Sequence, residues 1–241
     1  DLTVSSGLIV VSRTNDWVAD DSVIGKASFF DQQAITTNMI VEASGIVTGA
    51  GVQIAMGYAT NVLSTNTPII AGVQNDAGDD IGTATYDYYG AVVNTAGSKG
   101  IAWAYGLTQL DVNSNAVITL ANAGASNDTL NAKLTGAGGY VFDIDGTAKI
   151  GNENSDYTGD TLITGGTLQT LANNALGSTS GLTVDSSGAY VLDHAQTVVG
   201  LFAGDNITLG AGAALTVSTT GSVGNIAGTG LLINKGSLFA G

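Results

Sequence analysis

Apolar and β-branched residues in this chain come in runs of three to five, alternating with Thr, Ser and Asn, and each run is closed by Gly, Asn, Asp or Ser. The phrase Leu-Thr-Val, followed by small polar residues and Gly, recurs from Leu2, Leu182 and Leu215, with related runs from Val117, Thr161 and Ile207. Short alternating runs bounded by turn formers predict strands joined by tight corners. No stretch sustains a 3.6-residue apolar period over twelve or more residues with capping signals at its ends. The best helical candidate, Phe29 to Val41, is rich in Ile, Thr and Val and is read as strand or loop. Hairpin folds favour Asn-Gly or Asp-Gly at two-residue turns, and Asp145-Gly146 is the only such dipeptide. Gly-x-Gly, Ser-Gly and Thr-Gly abound instead, at intervals that suit one strand per side of a coil. The expected fold is all-β: a parallel β-helix in which each strand pairs with its counterpart one coil on and aliphatic residues stack inward. With about 20 residues per coil and about 4.8 Å between strands, roughly 12 coils would make a single elongated rod about 55 to 60 Å long.

Composition sharpens this picture. Of 241 residues, 35 are Gly and one is Pro (Pro68), yet 44% are hydrophobic, enough to bury a core despite the Gly content. Twenty acidic residues against six Lys and Arg, Arg13 being the only Arg, give a net charge of −14. Phosphate binding needs clustered cations, so no nucleic-acid partner is expected, and anionic lipid would be repelled. Absence of Cys removes disulfides, thiolate nucleophiles and Cys-based zinc sites together. The opening Asp1-Leu2-Thr3-Val4 carries no basic or apolar leader segment, which suggests a mature or excised chain. Residues 43–75 and 206–234 are uncharged but repeatedly interrupted by Gly and polar residues, unlike a spanning helix.

From Asp156 to Val217 the chain resembles the passenger repeat of pertactin-like autotransporters. The likeness rests on Tyr157-Thr158-Gly159, Gly166-Thr167-Leu168, Ala175-Leu176-Gly177, Leu182-Thr183-Val184, Gln196-Thr197-Val198 and Asn206-Ile207-Thr208-Leu209-Gly210, in that order. Gly228-Thr229-Gly230-Leu231-Leu232 and Lys235-Gly236-Ser237-Leu238 extend it forward, and Leu134 to Val141 echo it upstream. Asp160 stands where the family has a second Gly. The resemblance implies a right-handed, three-faced β-helix, secreted through a C-terminal outer-membrane barrel and displayed on a Gram-negative cell. It divides the chain into a less regular part, 1–133, with candidate binding loops, and regular repeat coils, 134–241, cut before any barrel. Membrane contact would come only through that missing barrel.

Candidate chemistry is sparse. A Ser-His-Asp triad would have to use His194, the only His, and no GxSxG elbow exists. Gly25-Lys26 lacks the spacing of a phosphate loop. A glycan-cleaving site needs converging carboxylates, for which Asp76, Asp79, Asp80, Asp143 and Asp145 are the candidates. Asp143-Ile144-Asp145-Gly146 resembles part of a calcium loop without its later ligands, so calcium is the one cofactor left open and none is expected. The expectation is a protein that is not an enzyme. Side chains suited to binding gather in Asp76, Asp79 and Asp80, in Tyr86, Tyr88 and Tyr89, and in Trp103 and Tyr105. Exposed, they would stack on sugars or anchor a protein partner; turned inward, they would form an aromatic ladder. Both readings stand at the level of sequence. The leading expectation is a surface adhesin passenger that binds a host glycan or extracellular-matrix protein. The alternatives are self-association with the same passenger on a neighbouring cell, driving aggregation and biofilm, and a passive stalk.

Overall fold

Strand after strand buries alternate residues: Leu182 and Val184 in one, Gln196 and Val198 in another, Leu215 and Val217 in a third. That period of two, broken every few residues by Gly, is what lets the chain turn corners and return one layer higher. The computed structural model describes residues 2–3, 8–13, 29–33, 35–42, 44–45, 47–48, 53–58, 62–64, 68–75, 77–94, 96–123, 125, 128–204 and 206–240.

The amino-terminal region contributes β1 (Leu2–Thr3), β2 (Leu8–Arg13), a 3-10 turn (Phe29–Gln33), β3 (Ile35–Glu42), β4 (Val47–Thr48), β5 (Gln53–Tyr58) and β6 (Val62–Ser64). The Phe29 to Val41 stretch thus divides into a single tight turn and a strand. Next come β7 (Ile69–Gln74), β8 (Asp80–Asn94) and β9 (Lys99–Val112), an antiparallel meander that β3 joins on the far side of β9.

The coils begin with β10 (Val117–Ala121), β11 (Thr129–Leu130) and β12 (Lys133–Gly136). Two long bent strands, β13 (Gly139–Ile150) and β14 (Thr161–Thr170), each cover two faces of the next two coils. Three coils of three strands follow: β15 (Gly181–Val184), β16 (Gly188–Leu192) and β17 (Ala195–Val198); β18 (Gly200–Ala203), β19 (Ile207–Leu209) and β20 (Ala214–Val217); β21 (Thr220–Val223), β22 (Ile226–Gly228) and β23 (Leu231–Asn234). A seventh rung starts with β24 (Ser237–Ala240). Every pairing among β10 to β24 is parallel, as a coil requires. The chain is a parallel β-solenoid of about 6 turns. Its two LTV phrases lie on different faces, Leu182–Val184 in β15 and Leu215–Val217 in β20.

Inward positions stack in register. One ladder runs Ile118, Tyr140, Thr161, Leu182, Leu201, Gly221, Leu238; a second on another face runs Ala148, Leu168, Tyr190, Ile207, Ile226. Full burial of each Leu or Ile contributes about 1.5–3 kcal/mol. The phrases that carry the autotransporter resemblance fasten one coil to the next. The buried Gln196 amide donates to Gly177 O (3.2 Å) and accepts from Leu176 N (3.1 Å), holding the Ala-Leu-Gly turn of the preceding coil. Asn206 Nδ2 donates to Asp185 O (2.7 Å) and Gly188 O (2.8 Å), closing another turn one coil back. Gly159 is required by close approach, since a Cβ there would lie 2.0 Å from Gly138 O. Two ion pairs also join neighbouring coils, Lys133 to Asp156 (2.6 Å) and Lys149 to Asp128 (2.8 Å), and the lysine beside each carboxyl holds it below the usual carboxylate range.

Two expectations change. The described solenoid occupies seven rungs, roughly 29 Å at about 4.8 Å per step, rather than 12 coils. Residues 69–112 form antiparallel hairpins, although no Asn-Gly or Asp-Gly marks them. The β7–β8 turn is made instead by Asn75, whose Oδ1 accepts from Ala77 N (3.0 Å) and Asp79 N (2.9 Å), with Gly78 at φ 85°. Asp145-Gly146 turns a corner inside β13, with Gly146 at φ 71°, and makes no hairpin. The 3-10 turn packs against β9, β10 and β11, where Phe30 and Gln32 are wholly buried. There the Tyr86 hydroxyl donates to Gln32 Oε1, so the turn plugs the amino-terminal end of the core.

Candidate functional site: a cleft between hairpin and first coil

Alternation along β7 turns Ile70, Gly72 and Gln74 outward, and Ile70 is 67% exposed. The Asn75 turn then reverses the chain into β8, whose start is tied to the first coil. Asn113 N donates to Ile81 O (2.9 Å) and Asn113 Nδ2 to Asp80 O (3.3 Å). Gly82 allows the close packing, because a Cβ there would lie 2.0 Å from Asp111 O. Between this hairpin and β10 opens a cleft of about 290 Å³, lined by Phe29, Val73, Gln74, Asn75, Ile81 and Val117 among others.

Its apolar surface comes from Phe29, Val73, Ile81 and Val117, the last 55% exposed. Its polar rim is preset by side-chain bonds. Gln74 Nε2 donates to Asp80 Oδ1 (2.9 Å) and Asn75 Nδ2 to Asp79 Oδ2 (3.2 Å). Each carboxylate keeps lone pairs to accept from a ligand. Among the described residues that line the cleft there is no Lys, Arg or His. An apolar floor beside hydroxyl-accepting carboxylates suits a sugar ring or a peptide with hydroxyl or amide groups; it does not suit an anion.

The structure separates the residues singled out in the sequence. Asp79 and Asp80 are exposed and bond the lining residues Asn75 and Gln74 from behind, without themselves lining the cleft. Asp76 lies outside the described residues. Tyr86 is wholly buried, bonded to Gln32, and presents no face to a ligand; its place as a candidate binding residue is corrected to core. Tyr88, Tyr89, Trp103 and Tyr105 sit on β8 and β9, Tyr88 paired with Tyr105 and Trp103 with Gly90, while their side chains lie outside the described ones. Asp143 and Asp145 are exposed on β13, and Asp145 N is held by Asn122 Oδ1 (2.7 Å). Among the described residues no three of His, Asp and Glu gather in a metal-binding cluster. His194 is exposed, and the neighbouring Asp193 Oδ2 accepts from Gln169. Phe29, Gln74 and Val117 were not anticipated. Asn75, immediately before the acidic run, was the available signal, because Asn followed two residues later by a turn N–H is an Asx turn.

Fold and cleft together define a parallel β-solenoid whose first coil is walled by an antiparallel hairpin. Over 215 residues, 84% of the chain, it is 29% identical to the uncharacterized protein YuaQ of Escherichia coli K12. Over 158 residues, 63% of the chain, it is 31% identical to the uncharacterized lipoprotein YdeK of the same organism. The chain spans only 15% and 12% of the lengths of these relatives. No family model and no solved structure matches it.

Proposed function

We propose that the chain is a passenger segment of a bacterial cell-surface adhesin of the autotransporter kind, displayed beyond the outer membrane, and that the hairpin cleft receives a host glycan or matrix protein. The observation that carries this reading is the cleft itself, an apolar floor edged by Gln74 and Asn75, whose side chains are held by Asp80 and Asp79. The ordered repeat phrases support the autotransporter resemblance, and a relative named as a lipoprotein supports a cell-envelope location. The role is binding without catalysis. Immobilised glycans and matrix proteins test it: Asp80→Asn and Val117→Asp should each weaken capture about tenfold or more with β-rich circular dichroism unchanged. Capture that is absent, or indifferent to both changes, refutes the proposal.

A second reading, self-association between cells, rests on an uncharged outward column: Thr119, Val141, Leu162, Thr183, Phe202, Ser222 and Phe239. Phe202 is 45% and Phe239 64% exposed on it. Sedimentation across concentration and salt separates the two. Dimers that strengthen as salt screens the acidic surface favour the second reading.

A further inference from the structure

A separate cleft opens on the third face, where two coils lack a regular strand. From 171 to 180 the chain runs as turns before β17 restores the strand. Asparagine side chains replace the missing ladder bonds: Asn173 Oδ1 accepts from Ala195 N (3.0 Å) and Asn174 Oδ1 from Thr197 N (3.1 Å). Asn174 itself holds a left-handed φ of 48°, with its N–H donated to Ala195 O (2.8 Å). The result is a fixed recess of about 330 Å³ bounded by Glu153, Asn154, Asn174, Ser178, Thr197 and Val199, among others.

What lines this recess is unspent hydrogen-bonding capacity. Among the described residues, the Glu153 carboxylate, the Asn154 side-chain amide, Asn174 Nδ2, Ser178 Oγ and Thr197 Oγ1 have no protein partner. Glu153 and the Asn154 carbonyl accept, the two amide NH₂ groups donate, and the two hydroxyls do either. Among the described residues Glu153 is the only charged group on the lining, so an anion finds no counter-charge. An ammonium ligand would leave the two asparagine donors without acceptors. An apolar ligand would meet only the buried Val198 and Val199, the latter 40% exposed, among the described lining side chains. A neutral ring that carries hydroxyls as both donors and acceptors, with one C–H face for Val199, matches the set, and the volume holds one such ring with accompanying water.

We infer that this recess is a binding site for one residue of a neutral saccharide, independent of the hairpin cleft. Monosaccharide affinity is weak, with Kd of about 1–10 mM, and gains strength only when many copies act together. The test is a nuclear magnetic resonance titration of the whole 241-residue chain with methyl glycosides of glucose, galactose, mannose and N-acetylglucosamine, and with glucuronate as the anionic control. At least one neutral probe should shift the amides of Asn154, Ser178 and Thr197 saturably, and glucuronate should not. Glu153→Gln and Thr197→Val, both at exposed positions, should each weaken that probe about fivefold to tenfold. Asn154→Ala serves as the second variant should either disturb folding, and Asp80→Asn should leave the titration unchanged. No saturable shift at these amides, equal binding of glucuronate, or binding that survives both recess variants would overturn the inference without touching the hairpin cleft.

Discussion

Tyr157, the first residue of the Tyr-Thr-Gly phrase, heads a hydroxyl chain sealed inside the solenoid. Its oxygen lies 2.5 Å from Thr161 Oγ1, which donates to Thr179 Oγ1 at 3.0 Å, which donates in turn to Gly159 O or Gly181 O. Tyr157, Thr161 and Thr179 are all 0% exposed. Because the Thr161 proton is committed to Thr179, the tyrosine must be the donor in the first link. Thr161→Val keeps the shape of the side chain but strands the tyrosine O–H without an acceptor and takes a donor from Thr179, a loss of about 2–3 kcal/mol. Tyr157→Phe removes a donor together with its need for a partner, and costs about 1 kcal/mol. The double variant should therefore be more stable than Thr161→Val alone, although it carries one change more. Urea unfolding followed by circular dichroism, compared at constant slope, measures all three. A double variant less stable than Thr161→Val by the full Tyr157→Phe cost would show that the links act independently, and the reasoning would fail.

Other expectations follow from the same packing. Gly159→Ala sets a methyl against the backbone of the preceding coil and should cost about 3 kcal/mol or more, whereas Gly146→Ala, at φ 71° in open space, should cost only about 1–2 kcal/mol of conformational strain; thermal unfolding ranks the pair. Burial pushes the phenols of Tyr140, Tyr157 and Tyr190 above their ordinary value. An acid whose folded value is raised stabilises fully below its unfolded value of about 10 and loses that contribution as pH climbs past it. Tyrosinate absorbance from these three should thus appear together with loss of β-structure, and ionisation of all tyrosines before unfolding would contradict their burial. Asp156 is held low by Lys133, so its contribution is present above about pH 4 and lost as pH falls. Being more than half exposed, it should be a small effect: Asp156→Asn lowers the midpoint slightly at low salt and not at all near about 1 M salt.

The coils from Gly139 to Ala240 are legible in the sequence because one rule, alternation with period two, decides which residues enter the core, and Gly marks many of the corners. Leu182, Val184, Leu215 and Val217 all point inward as that rule requires. The hairpins at 69–112 escape it. Their turn is built from an Asn side chain rather than a turn dipeptide, and strands of 15 and 14 residues exceed one side of a coil. Tyr86 misleads for a related reason: its direction depends on the register of β8, which a Gly-rich sequence leaves open until a partner such as Gln32 is in place. Asp79 and Asp80 were legible as exposed turn residues, but Phe29, more than 40 positions before Gln74 and Asn75, reaches the cleft that these two line only through the fold.

Gln196 and Asn206 each reach back a single coil, so alignment is set afresh at every turn and errors do not accumulate along the stack. The coil accordingly shrinks from 22 residues between Ile118 and Tyr140 to 17 between Gly221 and Leu238 with the inward ladder intact. Corners absorb the difference. Length is therefore a nearly free variable in such a chain: a loop added at a corner changes one rung's surface, and a whole coil gained or lost changes only how far the remaining surface projects.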